Sequence, residues 1–387
     1  MGLSAEQLDK IPRSIQRSIR AGKLSGAVTL VMRNGKIAQL QTIGKMDENK
    51  SMRDDAIFRI ASMTKPVTSV AVMMLVEQGK LSLDDPVSKY LPDFKNTQVG
   101  TVRNESFELT PLQHQITIRH LLTHTSGITY RFEGFEPWAS IYKDAGIMDG
   151  LSSTQGTIGD EVSRLAKLPL MHQPGAKFSY GLSTDVLGAV IEVVSKRSLA
   201  EFFEDKIFTP LKMHDTHFYL PQEKISRFCA VYRQMPDQTA QWMNDDTVEL
   251  GHVVFSASFP MKKPQTYYSG GVGLVSTAND YARFLQMLLN KGELEGVRIL
   301  NQKIVDEMTS NQTGSLHTVK GMEGFGFGFG LFNDHDSVQY GWSGFFNTTF
   351  FVDPKKQLIG IFLSQMYPAD NRFHERFRKL VLDAVVD

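Results

Sequence analysis

Ser62-Met63-Thr64-Lys65 sets a hydroxyl and an amine three residues apart, and on a helix that spacing puts both side chains on one face. A serine hydroxyl is a poor nucleophile until a base takes its proton, and a lysine amine can do so only where desolvation or a nearby cation keeps it neutral. The pair therefore reads as an acylation site with lysine, not histidine, beside the nucleophile. Pro66 fixes where the helix starts, because proline has no amide proton and is tolerated only in the first turn. Val67, Val70, Ala71, Met74 and Leu75 then recur at helical spacing as far as Gly79, a C-terminal stop. The strand-like run Ile57-Phe58-Arg59-Ile60 comes just before, so Ser62 stands where strand passes into helix, near the positive end of the helix dipole. A second copy of the spacing, Ser140-Ile141-Tyr142-Lys143, has no helix start and no apolar run behind it; it reads as a capping serine and a solvated lysine.

Other chemistries fit less well. A nucleophile elbow needs Gly-x-Ser-x-Gly, and both near misses, Gly181-Leu182-Ser183-Thr184-Asp185 and Gly341-Trp342-Ser343-Gly344-Phe345, lack the final glycine. His120 and His124 have zinc-ligand spacing, but Leu121 stands where a metalloprotease helix needs glutamate, so they read as structural histidines closing a helix. Gly271-Val272-Gly273 opens like a dinucleotide fingerprint, yet Ser276 holds the third glycine position. No metal and no cofactor is expected.

The elements that must position Ser62 come from both ends of the chain. Ser4 caps an N-terminal helix with Leu8, Ile11, Ile15 and Ile19 on one stripe. Ala27 to Met32 and Lys36 to Thr42 flank Asn34-Gly35, a hairpin signal; Asn347 to Val352 and Gln357 to Ser364 flank Asp353-Pro354-Lys355-Lys356, a second hairpin, followed by a helix from about Arg372 to Val385. One antiparallel sheet built from the two ends is expected, flanked by the terminal helices. The middle reads as helices at Ile118 to Thr123, Gly159 to Leu168 and Ser183 to Lys196. This gives a discontinuous α/β domain over 1–69 and 206–387 and an inserted, all-helical domain over 70–205, with the site in the cleft between them. Gly270 to Ser276 reads as a strand entering a helix capped by Thr277. In Gly324 to Gly330, alternation puts Phe325, Phe327 and Phe329 on one face of a strand.

The chain has 387 residues, enough for a large core and two structural units. Lys plus Arg number 42 and Asp plus Glu 42, so the field that draws proteins to nucleic acid or anionic membrane is missing, and neither is expected as a partner. A single cysteine, Cys229, excludes an internal disulfide framework and reads as a small buried side chain. Glu6 stands where a myristoylation signal wants Ser or Thr, and eighteen consecutive apolar residues occur nowhere. A cytoplasmic protein without a membrane anchor is expected; no oligomeric state is read.

Taken with Ile118-Arg119-His120-Leu121-Leu122-Thr123-His124-Thr125-Ser126-Gly127, the Ser62 motif makes the chain resemble the serine β-lactamase and penicillin-binding-protein superfamily. Within it the chain looks most like family VIII carboxylesterases, relatives of class C β-lactamases. Further matches are Tyr180 before Gly181 to Gly188, Ser269-Gly270-Gly271-Val272-Gly273-Leu274, and Gly341-Trp342-Ser343-Gly344. The resemblance implies a β-lactamase/transpeptidase-like fold, with Ser62 as acylated nucleophile and Lys65 and Tyr180 sharing the proton traffic; which of the two is the base stays open. It also implies an oxyanion hole from the backbone amides of Ser62 and Phe345.

Two departures bear on substrate. Trp342-Ser343-Gly344 fills the place where β-lactamases carry Lys-Thr-Gly, and Leu182 stands where they carry asparagine after the tyrosine. Both remove polar groups suited to an anionic, amide-bearing substrate and favour neutral carboxylic esters. By this resemblance Trp342, Ser343 and Gly344 touch substrate, a small-molecule ester with a short acyl chain and a small aromatic alcohol. Tyr130, Phe132, Phe135, Trp138 and Tyr142 cluster in one stretch and read equally as a pocket wall or as core packing. The expected activity is ester hydrolysis through a Ser62 acyl-enzyme. The alternatives are acyl transfer from the same intermediate, a class C-like β-lactamase or D-amino-acid peptidase, and a penicillin-binding-like sensor without turnover.

Overall fold

In a computed structural model, which describes residues 2–103, 106–152, 156–237, 239–243, 247–262, 266–334 and 337–386, Asn34 and Gly35 take φ of 52° and 73°. That left-handed pair turns strand β1 (Gly26–Arg33) back into β2 (Lys36–Gly44). The far end of the chain supplies β3 (Gly324–Phe325), β4 (Gly330–Asp334), β5 (Ser337–Gly344), β6 (Thr348–Asp353) and β7 (Leu358–Leu363). All seven join one antiparallel sheet in the order β3-β4-β5-β6-β7-β1-β2, so the first and last strands of this sheet in the chain pair inside it, next to the β2 edge, with Val28 opposite Leu363 and Met32 opposite Ile359.

Period-two alternation gives this sheet two apolar faces. Ala27, Val31, Phe351, Leu358 and Phe362 point to one side, against Leu8, Ile11, Ile15, Phe377 and Val381. Those partners lie on α1 (Lys10–Arg20) with the short turn before it, and on the closing helix Asn371–Leu382. The expected single N-terminal helix is broken after Leu8: Pro12 has no N–H for the Leu8 carbonyl, and α1 restarts at Lys10. On the other face Val28, Leu30, Phe350, Val352, Ile359 and Ile361 join the main core, with Tyr281, Phe284 and Leu288 of the helix Ala278–Leu289. Thr277 caps that helix by accepting from Asp280 N–H, as its sequence implied.

Ala61–Met63 forms one 3-10 turn, and α2 (Thr64–Glu77) continues it as the central helix of the same core, ending before Gly79 at φ 66°. Beyond it the chain builds helices Ile118–Leu122, Trp138–Asp144, Ile158–Leu165 and α3 (Ser183–Ser195). This segment is not all-helical: Gln98–Arg103 and Ser106–Pro111 pair as a hairpin. Its strand signal was faint because Val102, Phe107 and Leu109 are largely exposed, so alternation does not follow burial there. Helix Trp138–Asp144 also corrects the reading of the second Ser-x-x-Lys copy. Ser140 and Lys143 do sit on a helix, but both are exposed and the Ser140 hydroxyl donates to Glu136.

The glycine-phenylalanine repeat forms a hairpin instead of one strand. Gly326 N–H donates to the Phe329 carbonyl, Gly328 sits at φ 90°, and the chain reverses between β3 and β4. The three rings are fully buried in different directions: Phe325 against Trp342, Phe327 under the Arg119 guanidinium, Phe329 against Tyr340 and Phe350. Among the described residues, no helix is long and apolar enough to cross a membrane. Because the fully buried Phe329 ring packs on Tyr340 and Phe350, Phe329→Ala should lower unfolding free energy by about 3–5 kcal/mol in denaturant titration.

Candidate active site

The local fold makes Ser62 both buried and reachable. Ala61 before it takes φ 43°, a left-handed conformation that non-glycine residues rarely adopt, and this bends the strand-like approach into the helix. Ser62 keeps 7% of its surface exposed, whereas Lys65 one turn on keeps none. Lys65 Nζ lies 3.2 Å from Ser62 Oγ, 2.9 Å from the Tyr130 hydroxyl and 3.0 Å from the Gly271 carbonyl oxygen.

These three partners match an ammonium's three donors. They also suit the neutral amine, which has two donors and one lone pair: the carbonyl can only accept, the Tyr130 hydroxyl can accept as well, and the lone pair then faces the Ser62 hydroxyl proton. Burial lowers the Lys65 pKa to about 7, against the opposing charges of Asp185 and Glu133. Lys65 is therefore available as a base near neutral pH.

Tyr180 approaches from the loop before α3. The Ser179 N–H donates to the His124 carbonyl at 2.7 Å, and the His124 ring lies 4.8 Å from the Tyr180 ring, so the motif around His124 positions the loop. The Tyr180 ring also lies over Lys65 Nζ, 4.6 Å from its centroid. Its hydroxyl accepts from Trp342 Nε1 at 3.2 Å. Burial pushes the phenol pKa up, outweighing the hydrogen bonds it shares with Ser62 and Trp342, so Tyr180 is protonated at neutral pH.

Strand β5 closes the site from the sheet side. Trp342 packs between Tyr180 and Phe325 and is 7% exposed, so it braces Tyr180 more than it opens to solvent. Ser343 turns to Thr349 across the strand pair, hydroxyl to hydroxyl at 3.0 Å. Gly344 lies so close to the Ile60 carbonyl and Thr348 that a β-carbon would collide with both, which sets the Phe345 turn against the Ser62 turn. Arg59 ties the same two turns together. Its buried guanidinium stacks between Phe259 and Phe346, at 4.6 and 4.2 Å, and donates to the carbonyls of Ser256 and Leu151.

The aromatic stretch divides. Tyr130 is fully buried and holds Lys65, so it is not a pocket wall. Phe132 stacks on it at 4.4 Å, remains half-buried and faces Phe345 at 5.7 Å, beside the mouth of the site. Trp138 packs on Phe107 of the outer hairpin and Tyr142 is core, its hydroxyl directed at Thr129 N–H; neither faces Ser62. Phe135 is a surface residue, 49% exposed.

Sequence reasoning missed the Tyr130 and Gly271 contacts, for which no local period exists. The apolar wall beside Ala61 includes Phe132, named as a wall candidate from the sequence, and Phe345; sequence reasoning missed its other members, Tyr367 and, from the hairpin Thr247–Leu250 and Val253–Ser256, Val248 and Val253. His120 and His124 are structural. His120 Nδ1 accepts from Thr117 N–H in a capping box, and His124 is buried among rings. Cys229 is buried, as its type suggested.

Known proteins resemble this chain over most of its length. A family model described as Beta-lactamase matches residues 11–383. Esterase EstB of Burkholderia gladioli is 32% identical over 365 residues, covering 90% of this chain and 87% of that protein. Lovastatin esterase of Penicillium rubens is 28% identical over 378 residues, covering 90% of each. Among solved structures, EstCE1, described as a hydrolase with promiscuous acyltransferase activity, superposes with a TM-score of 0.82 at 28% identity, covering 99% of both chains.

The Lys65 pKa fixes the sign of one pH dependence. The neutral amine exists above about 7, so covalent labelling of Ser62 by a serine-directed phosphonate should rise with pH through about 7 and then level off. Lys65→Ala should slow labelling at pH 8 by about 100-fold or more, followed by intact-protein mass spectrometry.

Proposed function

The chain belongs to the beta-lactamase family and is a serine hydrolase of that superfamily, and on this premise we propose that it is a family VIII carboxylesterase that cleaves short-chain carboxylic esters through a Ser62 acyl-enzyme. The observation that carries this reading is the fully buried Lys65 amine 3.2 Å from Ser62 Oγ, its other two contacts filled by Tyr130 and Gly271. The amine takes the Ser62 proton as Oγ attacks the ester carbonyl, and the amides of Ser62 and Phe345 receive the charge that develops on the carbonyl oxygen. Tyr180 stays a neutral phenol, accepts from Trp342, and keeps its own proton for the departing alcohol oxygen; it is refilled from the Lys65 ammonium. Water then enters by the reverse relay and releases the acid.

Substrate preference is supported by what lines the site. Trp342 occupies the position of the cationic third-motif lysine, and Phe132, Phe345, Tyr367, Val248 and Val253 pack around Ala61, the residue before Ser62. A neutral ester suits that lining better than an anionic β-lactam, whose carboxylate would lose water without gaining a cation. Acyl transfer is a second reading, supported by the likeness to EstCE1: an alcohol in place of water would resolve the same acyl-enzyme. Adding a small alcohol to the assay and analysing products by gas chromatography separates the two.

Wild-type protein should hydrolyse p-nitrophenyl butyrate, and Ser62→Ala should lose at least about 1,000-fold of that rate. Turnover of nitrocefin should be much slower than that of the ester. Ester hydrolysis surviving the substitution would exclude Ser62 as the nucleophile, and activity confined to nitrocefin would reverse the substrate class.

A further inference from the structure

Asp185, in the first turn of α3, is a carboxylate with almost no access to water, 1% exposed. Its Oδ1 accepts from the Ser269 hydroxyl at 2.6 Å and from the Gly271 N–H at 3.4 Å. Its Oδ2 is buried with no hydrogen-bond partner among the described residues. A β-carbon on Gly271 would collide with that Oδ2 and stand 3.1 Å from the Tyr130 hydroxyl. The carboxylate oxygen and the phenol thus converge on the bare face of Gly271, the residue whose carbonyl holds Lys65 Nζ.

An orphaned buried carboxylate oxygen is expensive unless a charge nearby stabilises it. The Asp185 charge is felt by Tyr130, Tyr180, Asp149, Glu161 and Tyr267, and Asp185 in turn feels Lys65. Lys65 is the one cation among them. Lys65 in turn is acted on by Asp185 and Glu133, and its charge is felt by the buried His124.

We propose that Asp185 is a positioning residue for Lys65: through Gly271 and Tyr130 its carboxylate fixes the amine and stabilises the ammonium formed when Lys65 takes the Ser62 proton. The proposal rests on the reading of Ser62 and Lys65 as nucleophile and base. In that step the Ser62 O–H bond breaks, an N–H bond forms on Nζ, the Oγ–carbonyl bond forms and the carbonyl π pair moves onto its oxygen. Positive charge appears on Nζ, and Asp185 is the anion placed to meet it.

The sign follows from charge. A carboxylate favours the protonated amine, so Asp185 raises the Lys65 pKa against the lowering by burial, and burial raises Asp185 while Lys65 opposes that rise. Removing the charge must then move the acid limb of Ser62 reactivity to lower pH while weakening the base.

The test is the rate of Ser62 labelling by a p-nitrophenyl alkylphosphonate from pH 5 to 9 in wild type, Asp185→Asn and Ser269→Ala, with melting curves for each. The amide keeps an acceptor for Ser269 and Gly271 but carries no charge. Asp185→Asn should shift the acid limb down by about one pH unit or more and lower its plateau about tenfold. Ser269→Ala leaves the carboxylate less stabilised, so it protonates sooner and the limb should shift in the same direction by less. An unmoved limb in folded Asp185→Asn would overturn the proposal and leave Asp185 as an anchor for the Gly271 loop. Should that variant not fold, an unmoved limb in Ser269→Ala overturns it equally. Wild-type protein that never labels at Ser62 removes the functional reading and this inference with it, an outcome distinct from labelling with an unmoved limb.

Discussion

A lysine amine removed from water is the constraint around which this protein is arranged. Left bare, Lys65 would cost several kcal/mol of desolvation and would swing to solvent if it could reach it. Instead, a hydroxyl, a phenol and a carbonyl take its three contacts, and the Tyr180 ring covers what remains. Each partner imposes a demand on the chain. The Gly271 carbonyl must come down onto α2, which needs residues without side chains at Gly270 and Gly271 and the Thr68 hydroxyl to catch the Gly270 carbonyl at 2.6 Å. Tyr130 must be held from behind, and Asp149 does so by accepting the N–H groups of Arg131 and Phe132.

The sheet contributes rigidity more than side-chain chemistry. Its strand β5 ends at Gly344, where backbone packs on backbone, and its Trp342 indole N–H donates to the Tyr180 hydroxyl. His124, Phe178, Tyr180, Trp342 and Phe325 form a continuous set of rings, so a shift of Tyr180 would have to move several of them. Precision of this kind matters because a proton moves across hydrogen-bond distances, and a displacement of a few tenths of an ångström changes the rate.

What could be read in the sequence was what local rules govern. The Asn34-Gly35 turn, the Thr277 cap, the Pro66 helix start and the Ser62–Lys65 spacing each depend on neighbours a few residues away, and each stands in the structure as expected. The helix at Trp138 and the break after Leu8 turn on subtler local terms that patterning passed over. Tyr130, Asp185 and Gly271 could not be read that way. They are brought to Lys65 by contacts spanning tens to hundreds of positions, and no periodicity records such a meeting. The Phe325 to Phe329 alternation shows the opposite error, a period-two pattern created by a turn with glycines at its bends.

The pairing of β1 with β7 has a consequence for biosynthesis. The β1–β2 hairpin leaves the ribosome with the backbone donors and acceptors of β1 exposed along one edge, and the strand that will cover them is made only after everything between Gly44 and Leu358. During that interval the hairpin is an open template for any extended chain nearby. Closing the sheet also means bringing together residues far apart in sequence, an entropic toll that slows folding of such topologies. Yield in a cell should therefore depend on how well the nascent chain is shielded until β7 has been translated, even though the finished sheet has that edge paired in its interior.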